Sequence, residues 1–271
     1  MKKTNSIFLL GILLMTVVGC NDMYTKNRNI EKDIPKKEHT ELSVLWQQNA
    51  AEYRALSHQA FNIATKKILN LESSYDIPLA IITDIDETVL DNSPYSGMQI
   101  KNDLDFDKND WIEWGKLKKA KGLPGAVTFF NLADSLGIEI FYISNRYQVQ
   151  LAETIENLEL LNLPNADSNH VFLRTDTSEK QERRDRVLND YNVILYMGDN
   201  LSDFSSVFDN QNAASRNESV DKMSKEFGTK FIVFPNPMYG DWESKGLYGN
   251  NRNWSIQEKD SIRNSKIASY K

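Results

Sequence analysis

Four aspartates carry the chemistry that this sequence suggests. Asp84 and Asp86 lie in Leu79-Ala-Ile-Ile-Thr-Asp84-Ile-Asp86-Glu-Thr88, and Asp199 and Asp203 lie in Gly198-Asp-Asn-Leu-Ser-Asp-Phe204. Residues i and i+2 of an extended segment point the same way, so the first pair can face one ligand. Two carboxylates that close repel unless a cation sits between them or one is protonated. Asp199 and Asp203 are four apart and share a face if they sit on a helical turn. Acids paired in this way suit a hard cation such as Mg²⁺, which prefers carboxylate oxygens and keeps some of its waters. Alone, an Asp-x-Asp is equally an acidic turn after a strand. Ser144-Asn145 offers a hydroxyl and an amide that can donate to a phosphate oxygen, and is equally a turn or a helix cap. Lys180 reads either as a surface residue or as a cation set against a nearby anion.

The elements that must position these residues alternate in type. Leu79–Ile82 is an apolar run that reads as a strand buried on both faces, ending at the first acids. Further strands are expected at 138–143, which runs out at Ser144-Asn145-Arg146, and at 171–173, 193–197 and 230–234. Helices are expected at 126–135, 149–161 and 179–188. Such alternation predicts an α/β three-layer sandwich with a largely parallel sheet, whose ligands bind beyond the carboxyl ends of the strands. From Leu42 to Leu71 the apolar residues fall at helical spacing, as one long helix or two joined. Residues 92–124 are rich in charge and aromatics, including Trp111 and Trp114, and read as a helical insertion over the strand end. Gly198 is expected to let the backbone approach a ligand closely.

The N-terminus reads as a targeting segment. Lys2 and Lys3 precede an apolar stretch, Ile7 to Val18, too short to span a bilayer comfortably. The segment closes on Val17-Val18-Gly19-Cys20, which resembles the lipobox of bacterial lipoproteins. That resemblance implies a signal peptide over 1–19, lipid on Cys20 and a flexible polar tether over 20–40. Asn21, in place of the Asp that favours inner-membrane retention, points to the outer membrane of a bacterial cell envelope. Cys20 is the only cysteine, so no internal disulfide can form and stability rests on core burial. A net charge of −6 argues against nucleic acid as a ligand.

Taken in order, the Asp-x-Asp-x-Thr, Ser-Asn, Lys180 and Gly-Asp-x-x-x-Asp motifs resemble those of the haloacid dehalogenase superfamily. Asp86 as the second acid points to its phosphatase branch. Asp84 to Tyr95, Gly198 to Phe204 and Pro235-Asn-Pro-Met-Tyr-Gly-Asp-Trp-Glu243 resemble the class C acid phosphatases, also known as the lipoprotein e type. The resemblance runs from about residue 40 to 250. It implies a haloacid-dehalogenase-like Rossmannoid fold with a small helical cap, built from about 41–75 and 92–124, on a phosphatase domain over 41–271.

The resemblance also implies roles. Asp84 would be the nucleophile that forms an aspartyl-phosphate, and Asp86 the acid and then the base. Mg²⁺ would be held by Asp84, the Asp86 carbonyl and Asp199, with Asp203 acting directly or through water. Ser144, Asn145 and Lys180 would hold the phosphoryl group, and Trp111 and Tyr239 would stack on a base. The expected substrates are small phosphomonoesters, chiefly 5′-nucleotides and nicotinamide mononucleotide, and the expected assembly is a homodimer. The lone lipobox Cys excludes a cysteine phosphatase, and the scattered His39, His58 and His170 exclude histidine and dinuclear metallophosphatases. The rival reading is a surface lipoprotein that captures nucleotide or haem, which would need neither Asp86 nor Lys180.

Overall fold

The computed structural model describes residues 34–71 and 76–271. The signal segment, Cys20 and most of the tether lie outside them. In chain order, α1 (Glu41–Asn49) and α2 (Ala51–Leu69) precede β1 (Leu79–Thr83). Next come β2 (Leu90–Asp91), α3 (Ser93–Asn102), α4 (Lys108–Lys116) and β3 (Lys121–Gly122). The alternation resumes with α5 (Ala126–Ser135), β4 (Glu139–Tyr147), α6 (Leu151–Leu160), β5 (Val171–Arg174), α7 (Gln181–Leu188) and β6 (Asn192–Gly198). It closes with α8 (Ala213–Lys222), β7 (Phe231–Val233) and α9 (Ile256–Lys266).

Five of the strands form one parallel sheet in the order β5-β4-β1-β6-β7, which puts β1 at its centre. The period of two along β1 and β4 divides their side chains between two cores. Ile81, Ile140 and Tyr142 pack against Phe61 and Ala64 of α2 and Phe129 and Phe130 of α5. Ala80, Ile82, Phe141 and Ile143 pack on the opposite face with Val187 of α7 and Phe204. In β6 the register against β1 slips, from Ala80↔Val193 to Ile81↔Leu195. Ile194 is therefore an extra residue, and both Ile194 and Leu195 belong to the α2–α5 side. This is the three-layer α/β sandwich that the alternation predicts.

Two expectations need correction. The strand expected at 138–143 continues to Tyr147, so Ser144, Asn145 and Arg146 lie inside β4 rather than beyond it. Its pairing with β5 is irregular between Ile143 and Tyr147, and the bulge lets this polar stretch stay in strand conformation. Nor do both helices of the stretch expected to serve the cap, 41–75, belong to it. The chain breaks at Ala50, which is extended (ψ 128°). Beyond it α2 joins the sandwich through Phe61, whose ring lies 4.8 Å from that of Phe234. Only α1 packs on α3, within the 92–124 excursion. That excursion is closed at its base by the antiparallel pairing of Leu90 with Gly122 and Asp91 with Lys121. Asp107 caps α4 by accepting from the backbone N–H of Asn109 at 2.7 Å and of Asp110 at 3.1 Å.

Candidate active site

Central strands β1 and β6 run side by side and end together, and this brings the two acidic motifs into one place. The Asp84 N–H donates to the Met197 carbonyl at 2.8 Å, so Asp84 is fastened to the end of the neighbouring strand. Carboxylate oxygens of Asp84, Asp199 and Asp203 lie within 4.8 Å of one another. Lys180, the N-cap of α7 and only 4% exposed, reaches two of them. Its Nζ donates to Asp84 Oδ1 and pairs with Asp203 Oδ1 at 2.7 Å. Asp199 is held from the other side by Asn236 Nδ2 at 2.7 Å.

Three carboxylates against one ammonium leave the cluster with surplus negative charge in a buried place. Burial pushes the Asp84 carboxyl up, Asp203 and Asp86 push it further, and Lys180 opposes them. Asp199 is also raised, by burial first and then by Asp203 and Asp84. Burial works against the Lys180 ammonium, but Asp203 and Asp84 outweigh it and hold its pKa above the usual lysine value. All the donors are hard oxygens and the charge is unbalanced by more than one unit, which fits a divalent cation.

Gly198 has a different purpose from the expected close approach to a ligand. A Cβ there would collide with the Asp203 side chain, 2.5 Å from its own Cβ. The glycine makes room for Asp203, whose Oδ2 also accepts from the Asn200 N–H at 2.9 Å.

Asp86 is not a member of this cluster. Its Oδ1 accepts from Arg146 Nε at 2.9 Å and from Asn92 Nδ2 at 2.8 Å, and its Oδ2 accepts from Ser144 Oγ at 3.1 Å. Arg146, 2% exposed, also reaches Thr154 Oγ1 and Asn92 Oδ1. Asn92 Oδ1 in turn accepts from Trp114 Nε1 at 2.8 Å. Ser144, expected at a phosphate, therefore serves Asp86 here, and the Arg146 N–H donates to its oxygen at 3.0 Å. Asn145 is exposed beside the cluster. Arg183 Nη2 donates to its Oδ1 at 2.7 Å, which leaves its amide Nδ2 as a free donor.

The two expected stacking rings have different neighbours, Tyr239 at Glu87 and Trp111 at Arg146, the partner of Asp86. Tyr239, 37% exposed, donates its hydroxyl to Glu87 Oε2. The Trp111 ring lies 5.7 Å from the Arg146 guanidinium carbon and packs edge-on to Tyr95 at 5.0 Å. Glu87 itself is buried at φ 60°, and burial raises its pKa strongly, with Asp86 and Asp199 adding to the shift. Its Oε1 takes the Asn92 N–H at 2.7 Å.

The sequence pattern described as "HAD superfamily, subfamily IIIB (Acid phosphatase)" matches residues 19–242, more than half of the chain. The chain belongs to this acid phosphatase family. The class C acid phosphatase of Bacillus anthracis is 39% identical, with a TM-score of 0.84 over 88% of this chain and all of that one. The same holds for a structure of that enzyme with tungstate bound. Acid phosphatase 1 of Solanum lycopersicum is 27% identical over 58% of this chain and 57% of its own length, so the match spans little more than half of that relative. The stem 31 kDa glycoprotein of Glycine max is 26% identical over 64% of this chain and 68% of its own.

Within this acid phosphatase fold, α7 carries two cations, Arg183 and Arg184, that the sequence motifs do not single out. Lys180, Arg183, Arg184 and Val187 follow the i, i+3, i+4, i+7 spacing of an inward stripe, and all four are buried. Arg183 Nη1 donates to the Ser144 carbonyl at 2.6 Å, and Arg184 Nη1 donates to the carbonyls of Ser202 at 2.8 Å and Asp203 at 3.1 Å. Burial lowers the Arg183 pKa to about 10. One helix thus ties the ends of β4 and β6 to the site. The stripe is the available signal, masked because cations stand where apolar residues are expected.

Proposed function

We propose that this protein hydrolyses phosphomonoesters through an aspartyl-phosphate on Asp84. The observation that carries the reading is the placement of Asp84 and Asp86, two residues apart, among separate sets of partners. Such a division suits one carboxylate to attack and the other to move protons.

Lys180 holds Asp84 Oδ1, while Oδ2 accepts from no donor among the described residues and is the oxygen available to phosphorus. Attack forms the Asp84–phosphorus bond as the ester bond breaks, and Asp86 gives the leaving alkoxide its proton. Water then attacks the phosphorus of the intermediate and gives a proton to Asp86. Inorganic phosphate departs and the Asp84 carboxylate is restored. Lys180 offsets the negative charge that gathers at phosphorus, and Asn145 Nδ2 is placed to donate to a phosphoryl oxygen. Asp84, Asp199 and Asp203, with the Asp86 carbonyl, would hold a divalent cation, read here as Mg²⁺, which neutralises phosphoryl oxygens. Tungstate is a tetrahedral oxyanion, and its binding by the 39% identical enzyme supports the reading of an oxyanion site in this chain.

The substrate reading is 5′-nucleotides including nicotinamide mononucleotide, with Trp111 and Tyr239 stacking on the base, worth about 1–3 kcal/mol per base. The protein is further read as anchored through lipid on Cys20 in the outer membrane, and as a homodimer. The motif at 17–20 supports the anchor. Among the described residues no helix is long and apolar enough to cross a membrane.

The test is phosphate release from a panel of monoesters by the full chain in detergent, with Mg²⁺, with chelator, and with Asp84→Asn. Metal-dependent release abolished by the substitution is expected. Binding of nucleotide without release would replace the enzyme by a capture protein.

A further inference from the structure

Asn145, Lys180 and Asp203 line a cavity of about 660 Å³ beside the site. That is room for a molecule well beyond one phosphoryl group. Its outer wall comes from the two ends of the described chain, residues 36–39 and 244–263. The tail is ordered around Tyr248. Arg263 Nη1 donates to the Tyr248 hydroxyl at 3.0 Å, and Trp254 Nε1 donates to its carbonyl at 3.0 Å. Ser255 and Glu258 form a capping box that starts α9 and sets Lys259 against the wall.

This wall carries unmatched positive charge. Among the described residues, Lys36, Lys37, Arg252 and Lys259 line the cavity, and none of their side-chain nitrogens pairs with a carboxylate, although the backbone N–H groups of Lys36 and Lys37 donate to Asp103 Oδ1 at 2.6 and 3.4 Å. The other cations there are answered, Lys245 by Asp241 at 2.9 Å and Arg263 by Asp260 at 3.1 Å. Acids also line the cavity. Asp203 and Asp241 are paired and Glu243 faces His39 at 3.9 Å, which leaves Asp105, Glu179 and Asp209, all on other segments. Arg252 and Lys259 lie beyond the family-matched stretch, which ends at 242. Among the described residues, four cations without a side-chain ion pair, brought together on two segments far apart in a chain of net charge −6, mark a local anion site.

We propose that this wall binds a second anionic group of the substrate, so that the site prefers phosphomonoesters bearing another phosphate remote from the scissile ester, such as a nucleoside 3′,5′-bisphosphate. The inference rests on the phosphatase reading above and adds the substrate class. Lys180 and Asn145 receive the phosphoryl group that is cleaved, while Arg252 and Lys259, with Lys36 and Lys37, hold the one that is kept.

The test compares adenosine 3′,5′-bisphosphate with adenosine 5′-monophosphate on the full chain and on the variant Lys36→Ala, Lys37→Ala, Arg252→Ala, Lys259→Ala. Several exposed charge contacts together predict that KM for the bisphosphate rises about tenfold in the variant with kcat little changed. The wild-type preference should also shrink as salt rises from about 50 to about 500 mM. p-Nitrophenyl phosphate, which has no second anion, is the control for fold and chemistry. A wild-type chain with no preference at low salt, or a preference that survives in the variant, overturns the proposal. Calorimetric binding of the bisphosphate to Asp84→Asn, with and without the four substitutions, separates it from the phosphatase reading. If no ester is turned over but the substitutions weaken this binding, the wall stands and the phosphatase reading falls.

Discussion

Asp84 and Asp86 stand two residues apart and meet opposite kinds of surroundings. Around Asp84 three carboxylates share one ammonium, and burial raises Asp84 and Asp199 because the cluster holds more negative charge than its partners answer. Around Asp86 one carboxylate faces one guanidinium, and donors from Asn92 and Ser144 fix its direction. The first region is built to want something more, namely a cation and a phosphoryl group. The second is already complete, and its purpose is aim. Charge removal should therefore have opposite consequences for stability in the two regions.

The largest expected effects are on turnover, and they divide the regions by what survives. Asp86→Asn removes the proton carrier while keeping shape, so kcat should fall by about 10²–10⁴. Cation binding, read by calorimetry with Mg²⁺, should persist, because the Asp86 carboxylate is outside the three-acid cluster. Lost cation binding would show that the two regions are one. Arg146→Met comes next. It leaves Asp86 without its ion pair at a place where Arg146 is 2% exposed, and should cost about 3–5 kcal/mol in denaturant unfolding. A cost near zero would mean that Asn92 and Ser144 suffice.

Asp199→Asn sharpens the contrast. It removes a half-buried carboxylate that repels the buried Asp84 and Asp203, so the cation-free protein should gain about 1 kcal/mol or hold level in thermal unfolding. At the same time the stabilisation that Mg²⁺ gives the wild type should largely vanish, since a ligand stabilises only as far as it binds. A loss of stability without cation would contradict the surplus of charge inferred for the cluster.

How much of this is legible in the sequence follows from where polar residues sit. The buried strand Leu79–Thr83 announces itself as an apolar run, and that run alone assigns the acids after it to the sheet's carboxyl edge. β4 is legible only as far as Ile143, because Ser144, Asn145 and Arg146 break the apolar run without breaking the strand. The main partner of Asp86 therefore reads as part of a turn. Lys180 stands out in the sequence but its neighbours Arg183 and Arg184 do not, since a helical stripe of cations reads as solvated until burial is known. Gly198 stands out for a plausible but different reason, because the collision it avoids involves Asp203, five residues on. In the tail, Ser255 and Glu258 offer a capping-box signature for α9 that is open to a local reading. The pairing of Tyr239 with Glu87 joins residues 152 apart, and no local pattern reports it.

The smallest effect tests how far the first region reaches. Asn236 donates to Asp199 Oδ2 at 2.7 Å and accepts the Met238 N–H at 2.9 Å, so it orients a cluster carboxylate while fastening the loop after β7. Outer partners of this kind typically change metal affinity by about 10–100-fold when removed. Because Asp199 also lies among buried charges that favour a cation without help, Asn236→Ala should fall at the low end, weakening Mg²⁺ by about tenfold. Saturating Mg²⁺ should then restore kcat, because Asp84, Asp86 and Lys180 keep their own partners. A kcat that stays low at saturating Mg²⁺ would place Asn236 with the aiming residues around Asp86, and the boundary between the two regions would have to be drawn through Asp199.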